Sequence, residues 1–475
     1  MNYVMRRILA AALVAVLVAS CGGGGGGTFA GIDRLGVTNG TITGFGSIIV
    51  NGIEYQTSNT TYDIDDNPAG LPGSLKVGQS VTLRWSSSDN GVTRRADAVI
   101  YDDTVEGPIT AGSISLLTSS FVVLGQTVIV DADTSFASPL FDLRSLADGD
   151  IVKVSGLFDG DGLIRATRID RQAPGGEFEI RGVVASRAVT TFTINGQVVN
   201  TVGAFIDAPG GVISDGDFVE AKGSSVNGSG ELVATRVELE DGQTRTGEDG
   251  EDAEVEGYVD SLPAPTNTSF SVGGIPVLSN VTPIGVTIVP NMKVRVEGEF
   301  NASGAIVASE VSVRSGASGS SATVRIAANV DSVNAAAGQF VVLGVTVQVN
   351  ADTRIEDQSA AGVRSFTLAD LRGGSNPDFV EVRGIPQGNN TLVATLLQRQ
   401  EPDLQGILRG PLGSLNNPDF TILGITVQTD DFTEFGGVDF FGGAATVGDG
   451  VEVKFALNPP GASTPVLADE VELED

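Results

Sequence analysis

Apolar and polar residues alternate with period two along most of the chain, and glycine interrupts the alternation every few residues. That is the pattern of short, half-buried strands joined by tight turns. The clearest phrase is Phe121-Val122-Val123-Leu124-Gly125-Gln126-Thr127-Val128-Ile129-Val130. It returns at 192–199 around Gly196, 270–277 around Gly274, 340–347 around Gly344 and 420–427 around Gly424, with a weaker copy at 48–55 around Gly52. Each copy predicts two strands and a turn. Asn51-Gly52 and Asn195-Gly196 suit a two-residue hairpin, because both residue types tolerate positive φ, whereas the Leu-Gly copies ask for a bulged variant.

Each hairpin sits in a longer unit. Before it comes a short strand with a glycine, as in Val105-Glu106-Gly107-Pro108-Ile109. After it comes an alternating strand closed by glycine, as in Gly149-Asp150-Ile151-Val152-Lys153-Val154-Ser155-Gly156, and then a strand such as Leu163-Ile164-Arg165-Ala166-Thr167-Arg168-Ile169. The units fall at 37–102, 103–171, 178–241, 253–314, 323–399 and 402–474, behind a leader at 1–20 and a tether at 21–36. Five or six short strands per unit is the content of a small closed barrel, and closure removes strand edges that would otherwise pair between neighbours. The fold class is therefore all-β, a tandem array of about six small barrels. The Gly-, Ser- or acid-rich stretches 172–177, 241–252 and 314–321 read as linkers, so the barrels are expected as separate beads. The best helical candidate is a turn or two near 365–371.

Charge and chemistry narrow the function more than they define it. With 28 basic and 59 acidic residues the net charge is -31, which repels nucleic acid. There is no histidine, so Ser-His and Cys-His nucleophiles and imidazole metal sites are excluded. A carboxylate-pair hydrolase is the one catalytic class that composition leaves, and the acids recur by module, in turns and at strand positions expected to face solvent, rather than in a single constellation. Enzyme activity and bound cofactors are accordingly not expected. Asp63, Asp65, Asp159 and Asp161 place oxygen ligands at alternate positions, as calcium loops do, but neither run completes the EF-hand pattern, and Asp-Gly pairs are ordinary turn formers. The repeated phenylalanines share the phase of the core. Trp85, the sole tryptophan, breaks the module pattern beside Arg94 and Arg95. It reads as a sugar-stacking or partner contact, or as an edge-strand residue covered by the second unit.

The first residues read as an export signal: Arg6 and Arg7, then an apolar run at 8–18 too short to span a membrane as a helix. It ends at Val18-Ala19-Ser20-Cys21, which resembles the lipobox of bacterial lipoproteins. That resemblance implies lipidation of Cys21, and more than one acyl chain is what stable anchoring requires. Gly22 after the cysteine implies outer-membrane placement, facing the periplasm or the surface. Cys21 is the only cysteine, so no intramolecular disulfide forms. The three recurring phrases F-x-V-x-G-x-x-V, G-D-x-V-x-V-x-G and L-x-A-x-x-I, spread over 41–474, resemble the OB-like repeats of a domain-of-unknown-function family found in bacterial lipoproteins. The resemblance transfers no catalytic residue. Together these readings give a membrane-anchored, non-catalytic envelope protein acting as a multivalent binding or structural array, with an envelope protein or polysaccharide as partner. The alternatives are a carbohydrate- or calcium-binding surface protein, a passive spacer and, last, a carboxylate-dependent hydrolase.

Overall fold

The computed structural model describes residues 34–474 other than 88–92, 132, 138–142, 241–244, 282–286, 316–323, 389, 437–438 and 458–464. Six copies of one small β-barrel account for nearly all of it. In module three, for example, strand Phe178–Ala185 pairs with Thr191–Ile194, which turns into Gln197–Asn200. Gln197–Asn200 then runs parallel to Leu232–Leu239, which pairs with Phe218–Val226, and that strand returns to Phe178–Ala185. A further short strand, Phe205–Asp207, lies parallel to Leu232–Leu239. The repeated phenylalanines Phe121, Phe192, Phe270, Phe340 and Phe420 are buried in the barrel cores, as their phase predicts. The helical stretch near 365–371 is a single 3-10 turn, Leu368–Asp370, closed by a capping box from Thr367 and Asp370. Phe366, Leu368 and Leu371 around it pack into the module-five core.

The hairpin turns depart from expectation. All six copies form the same two-residue turn, with both central residues at positive φ. Val123 pairs directly with Gln126, so Leu124 and Gly125 alone make the connection, without a bulge. Leu124, Leu343 and Leu423 have φ of 46°, 49° and 51°, values close to the 45° of Asn195. A left-handed leucine costs about 1–2 kcal/mol. All three leucines are buried, and burying a leucine side chain contributes about 1.5–3 kcal/mol. The turn type is thus enforced by packing where the residue type disfavours it. The bulge lies elsewhere, at the glycine that closes the fourth barrel strand. The register slips at Gly156, Gly223, Gly298 and Gly384. At Gly223, Gly298 and Gly384 a Cβ would stand 2.2 Å from a carbonyl oxygen of the neighbouring strand, so no side chain fits.

The barrels are not separate beads. Each lends its first strand to another barrel, giving, among the described residues, three continuous sheets of 11, 12 and 13 strands. Modules two and three join through Val105–Pro108 and Phe178–Ala185, antiparallel, and modules five and six through Val324–Asn334 and Gln405–Asn416, also antiparallel. Module one bypasses its neighbours in sequence. Its strand Arg34–Phe45 runs parallel to Asp252–Tyr258 of module four, with Gly36 opposite Asp252 and Asn39 opposite Val255. The first strand projects from its own barrel with unpaired backbone groups, and these are satisfied by the same groups of another copy. One predicted linker is also structural: the Arg245 carbonyl accepts from Asn39 at 2.8 Å and the Thr246 carbonyl from Arg84 at 3.2 Å.

Candidate functional site: the charged faces between modules

The fourth strand of each barrel, the G-D-x-V-x-V-x-G phrase, turns its valines inward. Its intervening polar residues face outward, where solvent is expected. Instead Glu220, Lys222, Lys293, Glu381, Arg383 and Glu452 are each less than 8% exposed, because another module covers them. Charge buried in this way must be paired, since an isolated ion in such surroundings costs several kcal/mol.

The densest cluster lies where modules one, two and three meet. Module one contributes the turn with Asp63, Asp65 and Asp66, and the connection to module two contributes Tyr101, Asp102 and Asp103. Lys153 holds Asp65 at 2.8 Å and Glu106 at 3.6 Å, and makes a close ion pair with Asp103, which also accepts from the Tyr101 hydroxyl. Arg181 holds Glu220 at 2.8 Å, Glu240 at 3.3 Å, and Asp102 and Glu179 at 3.4 Å. Lys222 holds Asp66 at 3.0 Å, and Glu179 and Glu220 at 3.3 Å. Arg236 sits at the margin with Asp207 and Glu238. Burial raises the Asp102 carboxyl to about 6 against the pull of Arg181, and raises Glu240 to about 7. Burial likewise pushes Asp103, Glu106, Glu179 and Glu238 upward. For Glu220 burial is outweighed by Arg181 and Lys222, which hold it below the ordinary carboxylate range.

Carboxylate oxygens of Asp66, Glu220 and Glu238 converge within 4.8 Å, a spacing that a hard cation would fit. Lys222, Arg181 and Arg236 already stand against these acids, so ammonium and guanidinium groups occupy the role a metal would take. The proposed calcium ligands are spent in similar ways. Asp159 accepts from the Asp161 and Leu163 amides at 3.0 Å and from Arg165 at 2.9 Å. Asp161 accepts from Asn291 of module four at 2.7 Å, and Asp65 is paired with Lys153. The structure therefore brings Asp63 and Asp65 to one junction and puts Asp159 and Asp161 at another.

Trp85 is neither exposed nor on an edge. It is 2% exposed, on strand Ser80–Ser87 with partners on both sides, and its indole N–H donates to Thr38 Oγ1 at 3.1 Å. Gly36 leaves the room it needs, since a Cβ there would stand 2.3 Å from the ring. Arg94 stacks over it at 4.5 Å and reaches Glu254 of module four at 2.9 Å. Glu254 also receives Asn51, Tyr55 and Arg295. The tryptophan thus packs beneath the contact with module four, not module two. Modules two and five meet through Arg168 on Glu356 at 3.1 Å, Arg354 on the Thr167 carbonyl at 3.3 Å and Arg383 on the Thr134 carbonyl at 2.7 Å. Cys21 lies outside the described residues.

Six stretches, 37–99, 106–170, 181–238, 256–312, 328–398 and 409–472, match the model of a domain of unknown function, DUF5666. The chain belongs to the DUF5666 family. Each DUF5666 match falls on one barrel, so the family's unit and the structural unit coincide. No curated protein matches the chain. The outward polar positions of the fourth strand were visible in sequence as alternation. What sequence reasoning missed is that another DUF5666 copy covers them, and the signal was their mixture of Lys, Arg and Glu where simple solvation would tolerate any polar residue.

Proposed function

We propose that this DUF5666 protein is a lipid-anchored, non-catalytic component of the cell envelope whose six barrels form a rigid binding or structural platform. The observation that carries this reading is the use of the modules' buried charge on one another. At least 19 of the cations, from Arg34 to Lys454, are engaged in ion pairs, many of them between modules. A chain built for independent weak contacts by flexible beads gains nothing from such docking, whereas a platform of fixed shape needs it. With many of its cations turned inward, the exterior of a protein of net charge -31 is acidic, which favours an envelope protein or neutral polysaccharide over nucleic acid as partner. The Cys21 lipobox supplies the anchor and the glycines at 22–27 supply the tether, with outer-membrane placement as expected from Gly22. Neither calcium nor a cofactor enters this reading.

Two measurements test it. Wild-type protein is expected to fractionate with membranes and Cys21→Ser to be released; a variant that stays with the membrane removes the anchor. Small-angle scattering of the lipid-free chain is expected to give one compact particle, and an extended, flexible profile removes the platform.

A further inference from the structure

The junction of modules one, two and three holds more negative charge than its cations can balance. Lys153, Arg181 and Lys222 are shared among Asp65, Asp66, Asp102, Asp103, Glu106, Glu179, Glu220 and Glu240, eight carboxylates against three cations. Arg236 adds no relief, because it is already shared by Asp207 and Glu238. Arg168, the next cation along, is engaged with Asp170 and with Glu356 of module five. The backbone sharpens the conflict. Glu106 and Glu179 occupy directly opposed positions on the two strands that join module two to module three, an arrangement that is destabilising when both are ionised. Oδ1 of Asp65 is buried and accepts no hydrogen bond, while Oε1 of Glu179 and Oε2 of Glu220 are buried and met only by the shared cations Arg181 at 3.4 Å and Lys222 at 3.3 Å. Carboxylates crowded in this way share protons, since like charges at contact distance do not both ionise readily.

We infer that this junction is a proton-held latch, in which protons shared among the surplus carboxylates hold module three against module one and steady its strand pairing with module two, and their loss loosens that contact. Two groups are placed to set the working range. Asp102 lies on the connection between modules one and two, and Glu240 follows the last strand of module three. Both reach Arg181, with Glu220 and Glu179 beside them and Asp63 and Asp66 facing from the module-one turn. Each carboxyl is raised by burial, so the folded chain holds protons that the unfolded chain has lost. The stabilisation is complete below the ordinary carboxylate range and is lost as pH rises through about 6 for Asp102 and about 7 for Glu240. Module three is joined to module two by the pairing of Glu179 and Ile180 with Glu106 and Val105, whereas towards module one it has the Lys222–Asp66 ion pair at 3.0 Å and the Arg181–Asp102 pair at 3.4 Å.

The test uses the full chain. Hydrogen exchange, corrected for the intrinsic effect of pH, is followed in the module-three strands Phe178–Ala185 and Phe218–Val226 and in the module-five strands Val324–Asn334 and Phe379–Pro386. Between pH 5.5 and 8 the module-three strands are expected to lose protection by tenfold or more while those of module five hold theirs. Equal changes in both modules, or none, overturn the latch. The double variant Asp102→Asn, Glu240→Gln fixes both groups in a neutral form and is expected to lose more than half of the wild-type pH response. A variant that keeps the full response overturns the assignment to these two groups. If that variant does not fold, the wild-type exchange comparison decides on its own.

Discussion

Modules two and three are joined by the same antiparallel pairing of first strands as modules five and six, yet the charges around the two pairings are opposite in sign. Glu106 faces Glu179 across the first, whereas Arg325 faces Arg409 across the second. Around the first, carboxylates outnumber cations. Around the second, Arg325 and Arg383 converge on Glu381 at 3.2 and 2.6 Å, and Arg144 of module two reaches Glu452 at 2.9 Å. Backbone pairing is therefore what the DUF5666 strand needs at this position, and the side chains beside it vary provided that some neighbour balances them. The two solutions differ in how they respond to solvent. Guanidinium groups keep their protons at any working pH, while crowded carboxylates do not. Glu381 is held low, with burial outweighed by Arg325 and Arg383, so this shared carboxylate is ionised throughout the neutral range.

The contrast is most easily broken by removing a charge from each side. Glu381→Ala leaves Arg325 and Arg383 buried without a shared carboxylate and is expected to cost about 3–5 kcal/mol in denaturant unfolding at pH 7. Glu179→Gln replaces one of the crowded carboxyls, itself pushed upward by burial, with a neutral group of the same shape and is expected to change stability by less than about 1 kcal/mol. Equal losses would show that sign does not matter. Next come Gly384→Ala and Gly223→Ala, which place the same methyl 2.2 Å from a carbonyl oxygen in modules five and three. Each is expected to cost about 2–3 kcal/mol, which would locate the difference in the charges and not in the barrels. The pH dependence of melting sharpens the comparison further. Stability is expected to fall by about 1–2 kcal/mol as pH rises from 5 to 8, through the raised groups of the two-three junction. It is also expected to fall as pH drops below the ordinary carboxylate range, where Glu381 and Glu220, both held low, take up protons. The smallest effect belongs to Phe205→Ser. This ring is 63% exposed on module three, and its loss is expected to stay within about 0.5 kcal/mol.

The barrel itself was legible in the sequence, because alternation, turn glycines and the closing glycine are local signals that each copy repeats. The phase of Phe121 and its counterparts placed the core correctly. Leu124 misled for a physical reason. Its residue type disfavours a left-handed turn, and only burial, which no local pattern displays, makes the turn affordable. Lys153, Lys222 and Glu381 misled in the opposite way. An outward strand position reads as solvated until a second copy is known to cover it, and covering depends on contacts between residues far apart in sequence, such as Lys222 and Asp66. Trp85 stood out because it breaks the repeat, and the break is genuine: the ring lies beneath the contact that Arg94 makes with Glu254 of module four.

The parallel pairing of Gly36 through Asn39 with Asp252 through Val255 has a bearing on how the molecule is made. A chain emerging from its amino end must hold the first barrel with one strand unmated until the fourth has been synthesised, while the second and third, which mate with each other, are already complete. Closing so long a loop is slow relative to joining neighbours. The pairing of modules one and four therefore closes the longest loop of the three pairings, and until it forms the molecule presents an open edge on the strand that begins at Arg34.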